Sequence, residues 1–157
     1  MQGNAKFMEQ AIALATENVT SGRGGPFGAV IVRGEEVIAE ASNLVTATND
    51  PTAHAEVVAI RRACTALSTF ALQGLTIYTS CEPCPMCLAA IYWARMDAIY
   101  FGSTAGDAAS AGFDDAHLYN EVRLPVEQRS LPAVNLLREP ASAAFAAWRE
   151  QVGRIDY

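Results

Sequence analysis

The pattern of apolar and polar residues in the first quarter of the chain predicts a helix followed by two strands. Residues 5–19 place apolar side chains at near-helical spacing, and the glycine-rich segment Ser21–Pro26 ends this helix. Two β-branched runs, Phe27–Val32 and Val37–Ala41, flank the turn Arg33–Glu35. Because a glycine in this turn tolerates backbone angles that other residues avoid, we expect a β-hairpin here.

The middle of the chain alternates helices with strands. Asp50–Pro51 is typical of a helix start, and residues 52–66 continue as a good helix. Strands are predicted at Leu75–Thr79 and Asp97–Phe101, with a largely apolar helix from Pro83 between them. Since a helix connects these two strands, we expect them to be parallel.

The last third of the chain predicts three more elements. They are a short helix near 115–121, a fifth strand at Val134–Leu137 and an alanine-rich helix over about 141–152. Together the elements predict a three-layer α/β/α fold around a mixed five-stranded sheet. A length of 157 residues suits one domain, and we assign residues 1–157 to it.

Composition and charge narrow the classes of partner. Hydrophobic residues make up 51% of the chain and charged residues 18%, which is typical of a folded globular domain. The apolar run Leu88–Ala94 is far shorter than the roughly 18 residues that span a membrane, and the N-terminus has no signal-peptide pattern. We therefore expect a cytoplasmic protein without a membrane partner.

The net charge argues against nucleic acid as a partner. The chain has 17 acidic and 11 basic residues, a formal net charge of -6, whereas duplex binding usually requires a basic surface. The pair Arg61–Arg62 is interpreted as a solvated helix face. A small molecule is therefore the favoured ligand.

Two short motifs contain the residues best suited to bind a metal ion. His54–Glu56 and Pro83–Cys87 both lie at predicted helix starts. Cys84 and Cys87 are three residues apart, so their sulfurs share one face of the first turn, where the helix dipole favours thiolates. Together with His54 they would give zinc three ligands and leave the fourth tetrahedral position to water, as in catalytic zinc sites.

Glu56 is assigned a role other than metal ligation. It lies two residues from His54, about 200° around a regular helix, so the two side chains would not face the same ion. A carboxylate beside a metal-activated water takes a proton from it and returns protons to the substrate and the leaving group. We therefore predict that Glu56 is the catalytic acid and base.

Two non-catalytic metal sites are weighed against this interpretation. Cys81 would complete a closed structural zinc site, and the spacing of Cys81, Cys84 and Cys87 partly matches an iron–sulfur ligand series. The iron–sulfur series lacks a fourth cysteine nearby. Cys81 ends the predicted third strand, so we interpret it as a small buried residue.

Five segments of the chain match one known family. They are Gly24–Val30, Asn49–Glu56, Thr79–Cys87, Ile91–Arg95 and Ala111–Asp115. The second and third contain H-x-E and P-C-x-x-C, together the signature of zinc-dependent nucleobase deaminases. The chain thus resembles the cytidine deaminase-like superfamily over nearly its whole length. The last two segments and the terminal Tyr157 narrow the resemblance to the small bacterial guanine deaminases.

The resemblance implies a cofactor and a reaction. One Zn²⁺ per subunit, held by His54, Cys84 and Cys87, would activate a water that attacks C2 of guanine and gives xanthine and ammonia, as in purine catabolism or salvage. Glu56 would pass a proton to the adjacent ring nitrogen, and Asp115 would assist proton transfer to the departing amine. A homodimer that exchanges its C-terminal segments, about 140–157, is implied as well.

The resemblance also implies contacts with the base. The residues concerned are Phe27, Asn43, Ala55, Trp93, Asp114 and Tyr157. Phe27 would stack on the purine, Asn43 and the backbone near Ala55 would bind its polar edge, and Trp93 would help close the pocket. Core packing for the aromatic residues, a turn for Asn43 and helix capping for the aspartates are the structural alternatives.

Several functions stay open at this stage. Guanosine deaminase is the nearest alternative, followed by cytosine deaminase and tRNA adenosine deaminase, against which the acidity of the chain argues. A non-catalytic zinc or iron–sulfur module is the alternative from a different class.

Overall fold

The molecule is built around a mixed β-sheet whose strands follow the order β2-β1-β3-β4. The structure is a computed structural model that describes residues 3–157. The strands are β1 (Gly28–Arg33), β2 (Glu36–Ser42), β3 (Thr76–Cys81) and β4 (Ala98–Ser103). β1 pairs antiparallel with β2 and with β3, whereas β3 and β4 are parallel. The predicted hairpin and the predicted parallel pair are therefore both confirmed.

Seven α-helices accompany the sheet in the described part of the chain. They are α1 (Ala5–Thr20), α2 (Val45–Thr48), α3 (Ala55–Leu67), α4 (Pro85–Trp93), α5 (Ala105–Ser110), α6 (Asp115–Arg123) and α7 (Arg138–Glu150), and Val126–Gln128 form a 3₁₀ turn. The sequence pattern did not predict α2, α5 or the 3₁₀ turn, which are too short for a periodic signal.

The two faces of the sheet are covered by different helices. Phe7 and Ala11 of α1 pack with Val30 and Val32 of β1 on one face. The alternate residues of β1 point to the other face, where Ala29 and Ile31 join a cluster with buried residues of α3 and α4. A side chain at Gly28 would collide with the carbonyl oxygen of Ala11, so this glycine permits the close approach of α1. The three-layer α/β/α prediction is confirmed.

Two helices begin later than the sequence pattern indicated, with a physical reason in each case. The carboxylate of Asp50 accepts hydrogen bonds from the backbone and side chain of Thr52, which holds a turn in place of the expected first helical turn. Cys84 is extended because proline at the next position disfavours helical angles before it. His54 and Cys84 consequently become the N-cap residues of α3 and α4.

The predicted fifth strand is wrong. Among the residues that the structure describes, the sheet has four strands, and Val134–Leu137 pairs with none of them. Val134 is 88% exposed, and Leu137 adopts a left-handed backbone conformation (φ 54°) as the N-cap of α7. An apolar run becomes a strand only where a sheet edge accepts its backbone hydrogen bonds, and this run has no such partner.

The chain separates into two compact units with the boundary between Tyr119 and Asn120. In the second unit, the Glu121 carboxylate accepts hydrogen bonds from the backbone and hydroxyl of Ser130, and the Trp148 and Tyr157 rings pack edge to face at 6.3 Å. The assignment of residues 1–157 to one domain stays a prediction. Over residues 3–157, no helix combines the length and apolarity needed to cross a lipid bilayer.

Candidate active site

Three side chains from two helix starts converge on one point. His54 caps α3, Cys84 caps α4, and Cys87 lies in the first turn of α4. Their possible ligand atoms all lie within 4.8 Å of one another, and Cys84 Sγ is 3.6 Å from His54 Nδ1. One imidazole and two thiols are donors that zinc prefers, and three protein ligands leave one tetrahedral position for water. The residues therefore fit one Zn²⁺.

The electrostatics of the three ligands also suit a divalent cation. Hydrogen bonds from the Cys87 thiol and from His54 lower the pKa of Cys84 to about 4. The hydrogen bond to Cys84 in turn raises the pKa of Cys87, and the Cys84 thiolate raises that of His54. The group therefore already has one thiolate, and binding a cation would displace the remaining protons.

Cys81 lies outside this metal-binding group. The three ligands named above form the group within the described residues, and Cys81 at the end of β3 has its sulfur 3.6 Å from the carbonyl oxygen of Thr104. Burial raises the pKa of Cys81 to about 11, so it stays a neutral thiol. The group has neither the fourth ligand of a closed zinc site nor that of an iron–sulfur cluster.

Glu56 lies beside the metal-binding group without belonging to it. It occupies the first turn of α3, is only 6% exposed and lines the same cavity as His54 and Cys84. Burial raises the pKa of Glu56, because the ionised form is poorly solvated there. A carboxyl group with a raised pKa is a better proton acceptor and still donates the proton again, which suits an acid and base.

A cavity of about 260 Å³ opens above these residues. Its lining residues are Gly25, Phe27, Asn43, Val45, Thr46, His54, Glu56, Glu82, Cys84, Phe113 and Asp115. Cavities for drug-sized ligands measure roughly 300–1,000 Å³, so this one suits a smaller molecule. Besides Cys84, five predicted site residues line this cavity: His54 and Glu56, which the motifs indicated, and Phe27, Asn43 and Asp115, which the resemblance implied.

An aromatic pair and an amide form the part of the cavity that suits a flat polar base. The rings of Phe27 and Phe113 meet edge to face with centroids 4.8 Å apart, which fixes the plane of each ring. Asn43 is buried, and its side-chain oxygen accepts a hydrogen bond from the backbone of Val45. Its carbonyl oxygen accepts another from the side chain of Asn18, so its position is held from two sides.

Two more carboxylates lie in the cavity lining. Asp115 begins α6 and is half-buried, and burial raises its pKa. Glu82 follows β3, and one of its oxygens accepts a hydrogen bond from the backbone of Ala105 at 3.0 Å. The cavity is therefore rich in proton acceptors, as expected for a ligand that presents several N–H groups.

The other residues predicted to contact the base are not among those that line the cavity. Asp114 is exposed and Trp93 is 61% exposed, and neither lines the cavity. Ala55 is fully buried at the start of α3, where its backbone N–H has no acceptor within the helix. Tyr157 belongs to the second unit, so its predicted contact with a base stays a prediction.

Five residues that line the cavity were not predicted from the sequence to contact a ligand. They are Gly25, Val45, Thr46, Glu82 and Phe113. Gly25, Glu82 and Phe113 stand within the segments that carried the family resemblance, so a signal for them existed. Val45 and Thr46 are ordinary apolar and hydroxyl residues in a short helix, and only the folded chain brings them to the cavity.

Comparison with known protein families identifies the family of this chain. Residues 1–103 match the family model described as the cytidine and deoxycytidylate deaminase zinc-binding region. This chain belongs to that deaminase family. The predicted resemblance is confirmed, and the chain is a zinc-dependent enzyme of the hydrolytic deaminase type.

Two proteins from Bacillus subtilis (strain 168) show where this deaminase lies within the family. Its guanine deaminase is 50% identical over 151 residues, which cover 96% of our chain and 97% of the relative. Its tRNA-specific adenosine deaminase is 41% identical over 97 residues, 62% of our chain and 60% of the relative. The likeness to the tRNA enzyme is thus restricted to part of each chain.

A crystal structure supports the same placement. The X-ray structure of guanine deaminase from Bacillus subtilis matches this deaminase with a TM-score of 0.94 and 48% sequence identity, and the match covers 99% of each chain. The cytidine deaminase-like α/β fold predicted from sequence is therefore confirmed.

Proposed function

We propose that this enzyme hydrolyses guanine to xanthine and ammonia. The observation that supports the proposal is the position of Glu56 beside His54, Cys84 and Cys87 in a cavity of base-like size. The choice of guanine is supported by the likeness to guanine deaminase, which extends over the whole chain. The reaction belongs to purine catabolism or salvage.

The residues divide the chemistry between them. A zinc ion on His54, Cys84 and Cys87 would lower the pKa of a water towards neutrality when bound. Glu56 removes a proton from the water that adds to C2 of guanine and donates it to the adjacent ring nitrogen. The second proton passes, with the assistance of Asp115, from the hydroxyl group now on C2 to the amino nitrogen. The bond between C2 and that nitrogen then breaks and ammonia leaves. C2 then becomes the carbonyl carbon of xanthine.

The binding groups follow from the cavity lining. Phe27 stacks on the purine, and its edge-to-face contact with Phe113 keeps the ring in the required plane. Asn43 and the free N–H of Ala55 bind the polar edge of the base. We assign auxiliary contacts to Trp93, Asp114 and Tyr157, which the resemblance implies. A small base suits this lining better than a nucleic acid strand.

The basic pair Arg61–Arg62, which the sequence predicts to lie on a solvated helix face, makes its contacts within the chain. Arg61 forms an ion pair with Asp50 at 3.5 Å, and Arg62 donates a 2.6 Å hydrogen bond to the carbonyl oxygen of Glu40. These contacts fit a solvated helix face and add no support for a nucleic-acid substrate.

The assembly is part of the proposal. We infer a cytoplasmic homodimer of single-domain subunits that exchange residues 140–157, with Tyr157 reaching the partner's active site. Four free cysteines suit a reducing compartment. Light scattering should give a mass near twice 16.7 kDa, and a monomer mass would contradict the dimer.

The direct test compares four substrates. Zinc-loaded enzyme is offered guanine, guanosine, cytosine and adenine side by side, and ammonia release is measured. We expect turnover of guanine alone. Guanosine as the only substrate would keep the chemistry and overturn the choice of base, whereas no turnover of any substrate would contradict the enzymatic function.

A further inference from the structure

Tyr119 connects two parts of the active site that the mechanism uses separately. It lies four residues after Asp115 in α6, so the two side chains share one face of the helix. Its hydroxyl donates a 2.7 Å hydrogen bond to the carbonyl oxygen of Pro83, the residue before Cys84. One phenol group therefore joins the helix of Asp115 to the loop of a zinc ligand.

We propose that Tyr119 is a positioning residue that keeps the Asp115 carboxylate at the cavity by fixing α6 to the loop before Cys84. The inference rests on the proposed function, in which Asp115 assists proton transfer to the departing amine. Tyr119 does not line the cavity, so it acts through Asp115 and not on the base itself.

The start of α6 has few other anchors. No residue of α6 is buried, so core packing does not determine where the helix lies. The segment before it bends at Gly112, which has a positive φ of 92°, and then Phe113 contacts Phe27. The Phe113 contact and the Tyr119 hydrogen bond thus hold the two ends of the segment that contains Asp115.

The loop on the other side of this hydrogen bond is held independently. The backbone of Glu82 donates to the carbonyl oxygen of Ser103 at 2.8 Å, and its side chain accepts from Ala105. Cys84 is followed directly by α4, whose first intrahelical bond uses the Cys84 carbonyl. Loss of the Tyr119 hydroxyl is therefore expected to loosen α6 and to leave the zinc ligands in place.

The variant Tyr119→Phe removes the hydroxyl and keeps the ring, and Tyr92→Phe is the matched control on an exposed tyrosine outside the cavity. With guanine, we expect kcat to fall about tenfold, because misplacing a proton-transfer group slows the reaction. KM should stay within about twofold, since the stacking and amide contacts are untouched. The control should match the wild-type enzyme.

A double-mutant cycle tests whether the effect passes through Asp115. In an Asp115→Asn background, Tyr119→Phe should change kcat by less than about twofold, because the positioned carboxylate is already gone. A full tenfold fall in that background, or an unchanged kcat in the single variant, would overturn the proposal. A fall in the zinc content of Tyr119→Phe would also overturn it, because the hydroxyl would then act on the metal loop.

Amide hydrogen exchange provides a readout that does not depend on the substrate. We expect faster exchange over residues 113–119 in Tyr119→Phe, with no change over α4. If the wild-type enzyme does not turn over guanine, the proposed function fails and the exchange experiment alone decides. Faster exchange then supports the positioning contact, and unchanged exchange overturns it.

Discussion

Glu56 and Asp115 line one cavity in different surroundings, and the proposed reaction assigns them different proton transfers. Glu56 is buried beside the metal-binding group, whereas Asp115 is half-buried at the start of a helix. Burial raises the pKa of both carboxyl groups, which makes each a better proton acceptor than an exposed carboxylate. The more deeply buried Glu56 is suited to take a proton from the water, and the less buried Asp115 is suited to assist protonation of the leaving amine.

Asp115 is expected to matter more than its neighbour. Asp115→Asn keeps the shape but removes the proton acceptor, so kcat with guanine should fall by about tenfold to a hundredfold. Asp114→Asn is the comparison, because Asp114 is exposed and does not line the cavity, so loss of its proposed auxiliary contact should lower kcat less. Steady-state kinetics decide between them, and an equal or larger loss in Asp114→Asn would reverse the assignment.

Substitution by alanine should affect zinc content differently at Cys81 and Cys87, the two buried cysteines on either side of Cys84. Cys87→Ala removes a zinc ligand, so the purified protein should lose most of its zinc on dialysis against a weak chelator. Cys81→Ala removes a thiol that bonds to the Thr104 carbonyl and lies outside the metal-binding group, so one zinc per chain should remain. Metal analysis of both variants checks this, and zinc loss from Cys81→Ala would favour a closed site.

At the scale of the elements, the starts of α3 and α4 hold the metal-binding residues, and a buried amide in α1 holds two other residues of the cavity lining. Asn18 of α1 is 1% exposed, and its side-chain nitrogen donates 2.9 Å hydrogen bonds to the carbonyl oxygens of Gly25 and Asn43. Both acceptors belong to residues that line the cavity. The helix on the far side of the sheet thereby holds the loop that would contact the base.

Removing this amide should cost stability. Asn18→Ala leaves two carbonyl oxygens without their donor, so the free energy of unfolding should fall by about 1–3 kcal/mol. Asn135→Ala, at an exposed position, should change it by less than about 0.5 kcal/mol. Urea denaturation followed by circular dichroism measures both, and equal stability of the two variants would show that the buried contacts contribute little.

Local sequence signals were sufficient for some elements and insufficient for others. The zinc ligands were predictable because His54, Cys84 and Cys87 lie at helix starts that proline and short spacings mark. The fifth strand failed because Val134–Leu137 has the composition of a strand but no sheet edge to pair with. Strand formation depends on a distant partner, which a local pattern does not contain.

The cavity lining shows the same division. Glu56 stands in a motif with a chemical meaning of its own, and Phe27 stands in a segment that carried the family resemblance, so the sequence pointed to both of these cavity residues. Val45 and Thr46 belong to α2, which begins two residues after Asn43, and both line the cavity. Nothing in their residue types indicates this. Trp93 shows the converse, since its place in a matching segment did not bring it into the cavity lining.

At the scale of the whole molecule, the proposed choice of substrate rests on the residues that follow the zinc-binding region. The family model ends at residue 103, whereas the likeness to guanine deaminase continues through almost the entire chain. The match to guanine deaminase therefore includes Asp115 and the C-terminal unit, which the family model does not cover. The proposed exchange of residues 140–157 would make each active site depend on two subunits.

Removing the last two residues tests this dependence. Deletion of Asp156 and Tyr157 should lower kcat/KM for guanine by about tenfold or more, because the proposed partner contact is lost. Asp156→Asn is the control, since it breaks only the 3.1 Å ion pair with Arg154 and keeps Tyr157. Unchanged turnover after the deletion would remove Tyr157 from the active site.

The most direct test of the central claim measures guanine turnover and zinc content together in Glu56→Gln, with the exposed Glu9→Gln as the control. The account predicts one zinc per chain in both variants. It also predicts a loss of about 10²–10⁴ in kcat for Glu56→Gln alone, since the acid and base is removed while the ligands remain. Turnover within twofold of the wild-type enzyme, with zinc retained, would contradict the account and leave the metal with a structural role.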